Sequence, residues 1–263
     1  MNPKTAAGSR KSTPVSCASF PRPRAVFRLK SLSVCLFLVV ISAVFSAPAT
    51  ARSRPVGITP TLKEITVRHH GKPFVIRRNP DNSATIDPAY AKTSRPCPPF
   101  CIQPMRIAPG VETVGELEVI DYLDQKYNHS KGNIDIVDSR TPEWVAHGTI
   151  PGSINLPWTR LEPRKGAATE DVIRLLKAQF GVTLTRGADV FSVEEVLATG
   201  KPGDVFDFSQ AHTLVLFCNG MWCGQSPNNI RNLLKLGYPA ARLKWYRGGM
   251  QDWSALGLST AHP

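Results

Sequence analysis

The residues of this chain best suited to chemistry are concentrated in one loop, Cys218-Asn-Gly-Met-Trp-Cys-Gly-Gln-Ser226. A cysteine is nucleophilic only as its thiolate, and free backbone N–H groups at the positive end of a helix dipole favour that form. Cys218 has the setting for both. Before it, Leu214-Val-Leu-Phe217 is a short apolar run of the kind that makes a buried parallel strand. After it, Ser226 and Pro227 read as the N-cap and first residue of a helix. Ile230, Leu233 and Leu234 continue that helix at helical spacing, and Gly237 stops it. The ordinary alternative is a structural cysteine, since cysteine is so often interior. A second thiol in the same loop, Cys223, favours the reactive reading, because it can close a disulfide with Cys218 or resolve an oxidised sulfur there.

Compartment and charge follow from the first 51 residues. Lys4, Arg10, Lys11, Arg22, Arg24, Arg28 and Lys30 are basic, and no acid occurs before Glu64. An apolar run from Leu32 to Phe45 and the small-x-small signal Ala49-Thr-Ala51 follow. This is the three-part pattern of a secretory signal peptide cleaved after Ala51, which predicts a periplasmic or secreted protein with no membrane segment after cleavage. The run is short for a bilayer span. Of the net charge of +12, the leader carries seven, leaving five over the 212 residues that follow. That balance is ordinary for a soluble domain and gives no reason to expect a nucleic-acid partner.

Four cysteines remain after the leader, Cys97, Cys101, Cys218 and Cys223. An even set in an oxidising compartment predicts disulfides, and two close pairs favour local partners, although three pairings are formally open. Cys97 and Cys101 are the candidate disulfide, stapling a loop; exchange of electrons or sulfur with Cys218 is the sharper alternative. A four-cysteine zinc site competes, but the C-x3-C and C-x4-C spacings are unlike the usual knuckles. No metal is expected, at His69 and His70 either, which read as solvated turn residues. Nor is an organic cofactor: Gly220-Met-Trp-Cys-Gly224 is too short for a nucleotide loop and has no phosphate-binding lysine.

The rest of the chain supplies the scaffold. Residues 52–110 form an N-terminal extension. In it, Ile65–Arg68 and Phe74–Arg77 read as a β-hairpin turning at Gly71, with a short third strand near Ala84–Ile86. A proline-rich connector spans Thr93 to Pro109 and cannot be helical. From Val111 strands and helices alternate. A helix starts at Glu112 or Thr113, and Ile134-Asp-Ile-Val137 is a buried strand ending at Asp138-Ser-Arg140. Pro142 to Ala146 is a helical turn, Asp171 to Phe180 an amphipathic helix, and Ser192 caps another helix. Gly200 to Ser209 is a loop, and Arg242–Tyr246 is a further strand before a short final helix. The alternation argues an α/β domain over 111–263 with a mostly parallel sheet covered on both faces. Ligands then sit beyond the strands' C-terminal ends, where Cys218 falls.

Four stretches in order give a family resemblance: Ile136-Val-Asp-Ser-Arg140, Gly148-Thr-Ile-Pro-Gly-Ser-Ile-Asn155, Leu214 to Cys218, and Leu236-Gly-Tyr238 with Arg247-Gly-Gly-Met-Gln-Asp-Trp253. Together they resemble a rhodanese-like domain from roughly Val111 to Leu258. The extension is similar to that of a secreted bacterial subgroup with Cys-Pro-Pro-Phe-Cys and Cys-Asn-Gly-x-Trp-Cys-Gly-Gln-Ser-Pro motifs. The resemblance implies a three-layer α/β fold and sulfurtransferase chemistry. Cys218 would carry a sulfane sulfur as a persulfide, cradled by the loop Asn219, Gly220, Met221, Trp222, Gly224, Gln225 and Ser226. Asp138 and Arg140 would support the loop by hydrogen bonding. A sulfane-sulfur donor and a thiol acceptor are the implied partners, with a partner protein as a further one; the oligomeric state is not readable.

Departures from the family pattern matter. The family's loop usually places an arginine after the cysteine to hold an anionic donor, whereas Asn219 to Pro227 has no basic residue, which implies a poor site for thiosulfate. A phosphatase variant would need Cys-x5-Arg, and that position is Gly224. Thr149 stands where the family has histidine. The rival readings are a thiol–disulfide or sulfur relay through Cys218 and Cys223, with Cys223 resolving, and a non-catalytic binding module.

Overall fold

The computed structural model describes residues 55–201 and 203–263; the leader, with Cys17 and Cys35, lies outside the described residues. Strand β1 (Glu64–His69) pairs antiparallel with β2 (Lys72–Arg77). Ile65, Val67 and Ile76 point into the protein while their neighbours face solvent, the period of two expected of a half-buried hairpin. Its two-residue turn, His70 and Gly71, has positive φ at both positions, which matches the right-handed twist of the flanking strands.

The main body follows as β3 (Glu112–Val114), α1 (Glu116–Asn128), β4 (Ile134–Asp138), α2 (Pro142–Val145), β5 (Ile154–Asn155) and α3 (Thr169–Phe180). A small antiparallel pair, β6 (Thr183–Leu184) and β7 (Phe206–Asp207), brackets α4 (Val190–Thr199). The chain closes with β8 (Thr213–Phe217), α5 (Gln225–Lys235), β9 (Leu243–Tyr246) and α6 (Gly249–Ala255). Five strands form one parallel sheet in the order β3-β9-β8-β4-β5.

Alternation along the central strands divides the core. Leu214 and Leu216 of β8, Val137 of β4 and Trp245 of β9 pack with α3, α4 and α5 on one face. Val215, Phe217, Ile134, Ile136 and Tyr246 pack with α1 and α6 on the other. Ile65, Val67, Ile76 and Tyr90 of the extension join this second cluster, so the extension is fused to the main core. Burying both faces is why these strands read as continuous apolar runs. Three layers result, helices on either side of the sheet, as expected.

Local boundaries differ from the sequence reading at several places. Glu112–Val114 is an edge strand on β9, and the helix begins only at Glu116, after Gly115, whose N–H bonds Glu118 Oε2 at 2.9 Å. The apolar periodicity of α1 had hidden a strand too short to show a period of its own. Ala84–Ile86 is not a strand. Asp189, not Ser192, caps α4, its carboxylate accepting the Ser192 N–H at 2.9 Å. Residues Gly200–Ser209 contain β7. His69 is also not simply solvated: it is partly buried, and its Nδ1 accepts the Gly152 N–H at 3.2 Å.

Candidate functional site

The site sits where β8 ends. Phe217 is the last strand residue, Cys218 follows, and α5 starts at Gln225 after Gly224. Ser226 is therefore the second helical residue and not its N-cap. Its hydroxyl has another task, donating to Cys218 Sγ at 3.1 Å while accepting from Trp245 Nε1 at 3.1 Å. Cys218 and Cys223 are both buried free thiols, and Cys218 Sγ lies 3.4 Å from the Cys223 carbonyl oxygen.

Burial is the largest influence on the Cys218 thiol and opposes its ionisation, yet hydrogen bonds outweigh it. The Cys223 thiol, the Ser226 hydroxyl and the backbone N–H groups of Ser226 and Gly220 stabilise the thiolate and bring its pKa down to about 7. Cys223 moves the opposite way. Burial and the neighbouring Cys218 sulfur push its pKa well up. The pair is thus one thiolate held by one thiol. Removing the Ser226 donor by Ser226→Ala is expected to raise the Cys218 pKa and slow its alkylation by iodoacetamide at neutral pH, on the order of tenfold, since a hydrogen bond to a charged group contributes about 1.5–3 kcal/mol. An unchanged pH profile of alkylation would count against this assignment.

Two elements hold the loop from outside. Behind it, α6 donates from Met250 N–H to the Cys218 carbonyl at 3.0 Å and from Gln251 N–H to that of Asn219 at 2.9 Å. Gly249, with φ +57°, allows this close approach, since a Cβ there would collide with the Cys218 carbonyl oxygen. On the other side lies the extension, with Cys97 and Cys101 joined by a disulfide. Gln103 N–H donates to the Met221 carbonyl at 2.8 Å, and Arg247 Nη2 to the Gln103 carbonyl at 2.9 Å. Trp222 is half-buried: its Nε1 donates to Gln251 Oε1 at 2.9 Å, Phe100 meets its ring edge-on at 5.7 Å, and the Arg95 guanidinium lies 3.6 Å from its centroid.

Beside the loop, β4 ends in a fully buried ion pair. Arg140 Nη2 donates to Asp138 Oδ2 at 2.6 Å and Nε to Oδ1 at 2.9 Å. Arg140 also reaches the Tyr90 hydroxyl at 2.9 Å and Asn219 Oδ1 at 3.4 Å. Thr149 donates its hydroxyl to Asp138 Oδ2 at 2.6 Å, so this residue completes the carboxylate's hydrogen bonds.

A cavity of about 660 Å³ opens over the loop. Asn219, Trp222, Cys223, Gly224, Gln225 and Asn228 form one side; Pro88, Ala89, Lys92, Arg95, Pro96, Pro99 and Phe100 of the extension form another; Trp144 and Trp158 complete it. Cys223 lines it, whereas Cys218, Cys97 and Cys101 do not. Sequence reading brought together Asp138, Arg140, Cys218 and the 219–226 loop, and missed Tyr90, Arg95, Trp144, Trp158 and Asn228. A lone arginine beside Pro96 gave no spacing signal connecting it to a loop more than a hundred residues away.

A family model described as the rhodanese-like domain matches residues 121–256, a little more than half of the 263 residues. The chain belongs to the rhodanese-like domain family. No curated protein matches it. Among solved structures, the rhodanese-like chain is similar to a thiosulfate sulfurtransferase from Pseudomonas aeruginosa, at 18% identity and TM-score 0.33, covering 58% of this chain and 20% of that one. It is similar to the human single-domain sulfurtransferase TSTD1, at 21% identity and TM-score 0.30, covering 54% and 95%. A protein from Rhodopseudomonas palustris described as a possible tyrosine phosphatase is similar at 18% identity and TM-score 0.34, covering 57% and 85%. The family assignment rests on the family model and not on these distant likenesses.

Proposed function

We propose that this rhodanese-like protein is a sulfurtransferase that carries a sulfane sulfur on Cys218, in an exported chain of the secreted subgroup that its leader and paired cysteines resemble. The observation that carries the reading is the set of donors around Cys218, two side chains and two backbone N–H groups, that lowers the pKa of a fully buried thiol to about 7. A persulfide anion left on the same sulfur would be served by the same donors. The disulfide in the extension fits an oxidising compartment.

A second reading, the sulfur relay, is favoured by the position of Cys223 at the cavity wall. With its pKa raised, Cys223 stays a thiol and can give its proton as it attacks. The Cys218 persulfide anion and the Cys223 thiol would become a Cys218–Cys223 disulfide and hydrosulfide, with sulfur, protons and charge balanced.

The pH dependence of Cys218 reactivity tests the primary reading. A thiol with a lowered pKa is ionised above that value and protonated below it, so the rate of sulfur loading should rise through about pH 7 and level off above it. A rise only near the ordinary thiol value of about 8.5 would contradict it.

A further inference from the structure

The cavity beside the loop is built for something other than a small inorganic anion. It is large enough for an organic molecule, about 660 Å³, within the range of roughly 300–1,000 Å³ common for ligand pockets. Trp144, Trp158, Trp222 and Phe100 supply flat apolar walls, while Lys92 and Arg95 supply positive charge. Among the described residues, no carboxylate lines it. Asn228 also lines it, and the buried amide nitrogen of this side chain has no hydrogen-bond partner among the described residues. An unpaired buried donor in a cavity that two cations also line calls for an acceptor-rich anion. Aromatic walls call for a flat apolar body.

We propose that the cavity binds an organic anion with an aromatic body, its charged head toward Arg95. The inference stands independently of the sulfurtransferase reading. Arg95 takes the place of the arginine missing from the loop: it comes from the extension, outside residues 121–256, and its guanidinium lies over the Trp222 ring, 3.6 Å from the centroid.

The test uses the chain from residue 52 onward with unreactive probes in calorimetric titrations. Benzenesulfonate has ring and charge, methanesulfonate the charge alone, and benzamide the ring alone. Benzenesulfonate should bind about tenfold or more tighter than either, and Arg95→Gln should weaken it about tenfold. Arg95→Lys keeps the charge but not the planar guanidinium and should fall between; each variant's circular dichroism spectrum is compared with the parent's to check folding. Equal binding of benzenesulfonate and methanesulfonate, or benzenesulfonate binding indifferent to Arg95→Gln, overturns the ligand class.

Discussion

Cys218→Ala is expected to reduce sulfur transfer to the uncatalysed background, whereas Cys223→Ala should leave a slower but measurable transfer. The two thiols differ because their surroundings push them apart. Cys218 collects hydrogen bonds from Cys223, Ser226 and the loop N–H groups and is half ionised near neutrality. Cys223 is buried beside that negative sulfur and stays protonated. Only the first is present as a thiolate at neutral pH. Losing the Cys223 donor should raise the Cys218 pKa and cut transfer on the order of tenfold at pH 7. Cys223→Ser, which keeps a hydroxyl donor, should recover much of that loss. A simple relay predicts otherwise, with Cys223→Ser as inactive as Cys223→Ala in disulfide formation. Transfer assays on the three variants across pH check these outcomes, and retained turnover in Cys218→Ala would sink the assignment.

Asp138→Ala is expected to destabilise the fold by about 3–5 kcal/mol, because it leaves the Arg140 charge buried without its partner. Both side chains are essentially inaccessible, at 0% and 1% exposure, and the carboxylate is also the acceptor for the Arg140 N–H and the Thr149 hydroxyl. A loss of that size is a large share of the roughly 5–15 kcal/mol holding a typical domain together. Thr149→Val removes only one neutral donor and should cost less, about 1–2 kcal/mol. Replacing the pair together, Asp138→Leu with Arg140→Met, should recover much of the stability while loosening Asn219 and Tyr90. Chemical denaturation measures all three. A loss under about 1 kcal/mol for Asp138→Ala would mean that water reaches the pair.

The sheet was legible because burial on both faces leaves uninterrupted apolar runs, as in Ile134–Val137 and Leu214–Phe217, whose side chains alternate between the two clusters. The position of Cys218 followed, since a strand end before a helix start is a local pattern. Short elements were not legible. Glu112–Val114 and Phe206–Asp207 owe their strand geometry to partners distant in sequence, and intrinsic preference over two or three residues is weak beside such pairing. Ser226 was assigned to the helix cap by residue type, but a sulfur eight positions back competes for its hydroxyl. The extension was legible as a hairpin and a stapled loop, yet its contribution to the site was not. That Arg95, Phe100 and Gln103 reach the loop depends on how the connector packs against Trp222 and Met221, which no periodicity encodes.

Intact-mass spectrometry of the chain after incubation with benzenethiosulfonate, and separately with thiosulfate, followed by mapping of the Cys218 peptide, tests the central claim most directly. The account predicts a gain of one sulfur on Cys218, removed by cyanide and absent from Cys218→Ala. Unchanged mass on Cys218 with either donor, at a pH above 7 and with the thiols verified as reduced, would contradict it.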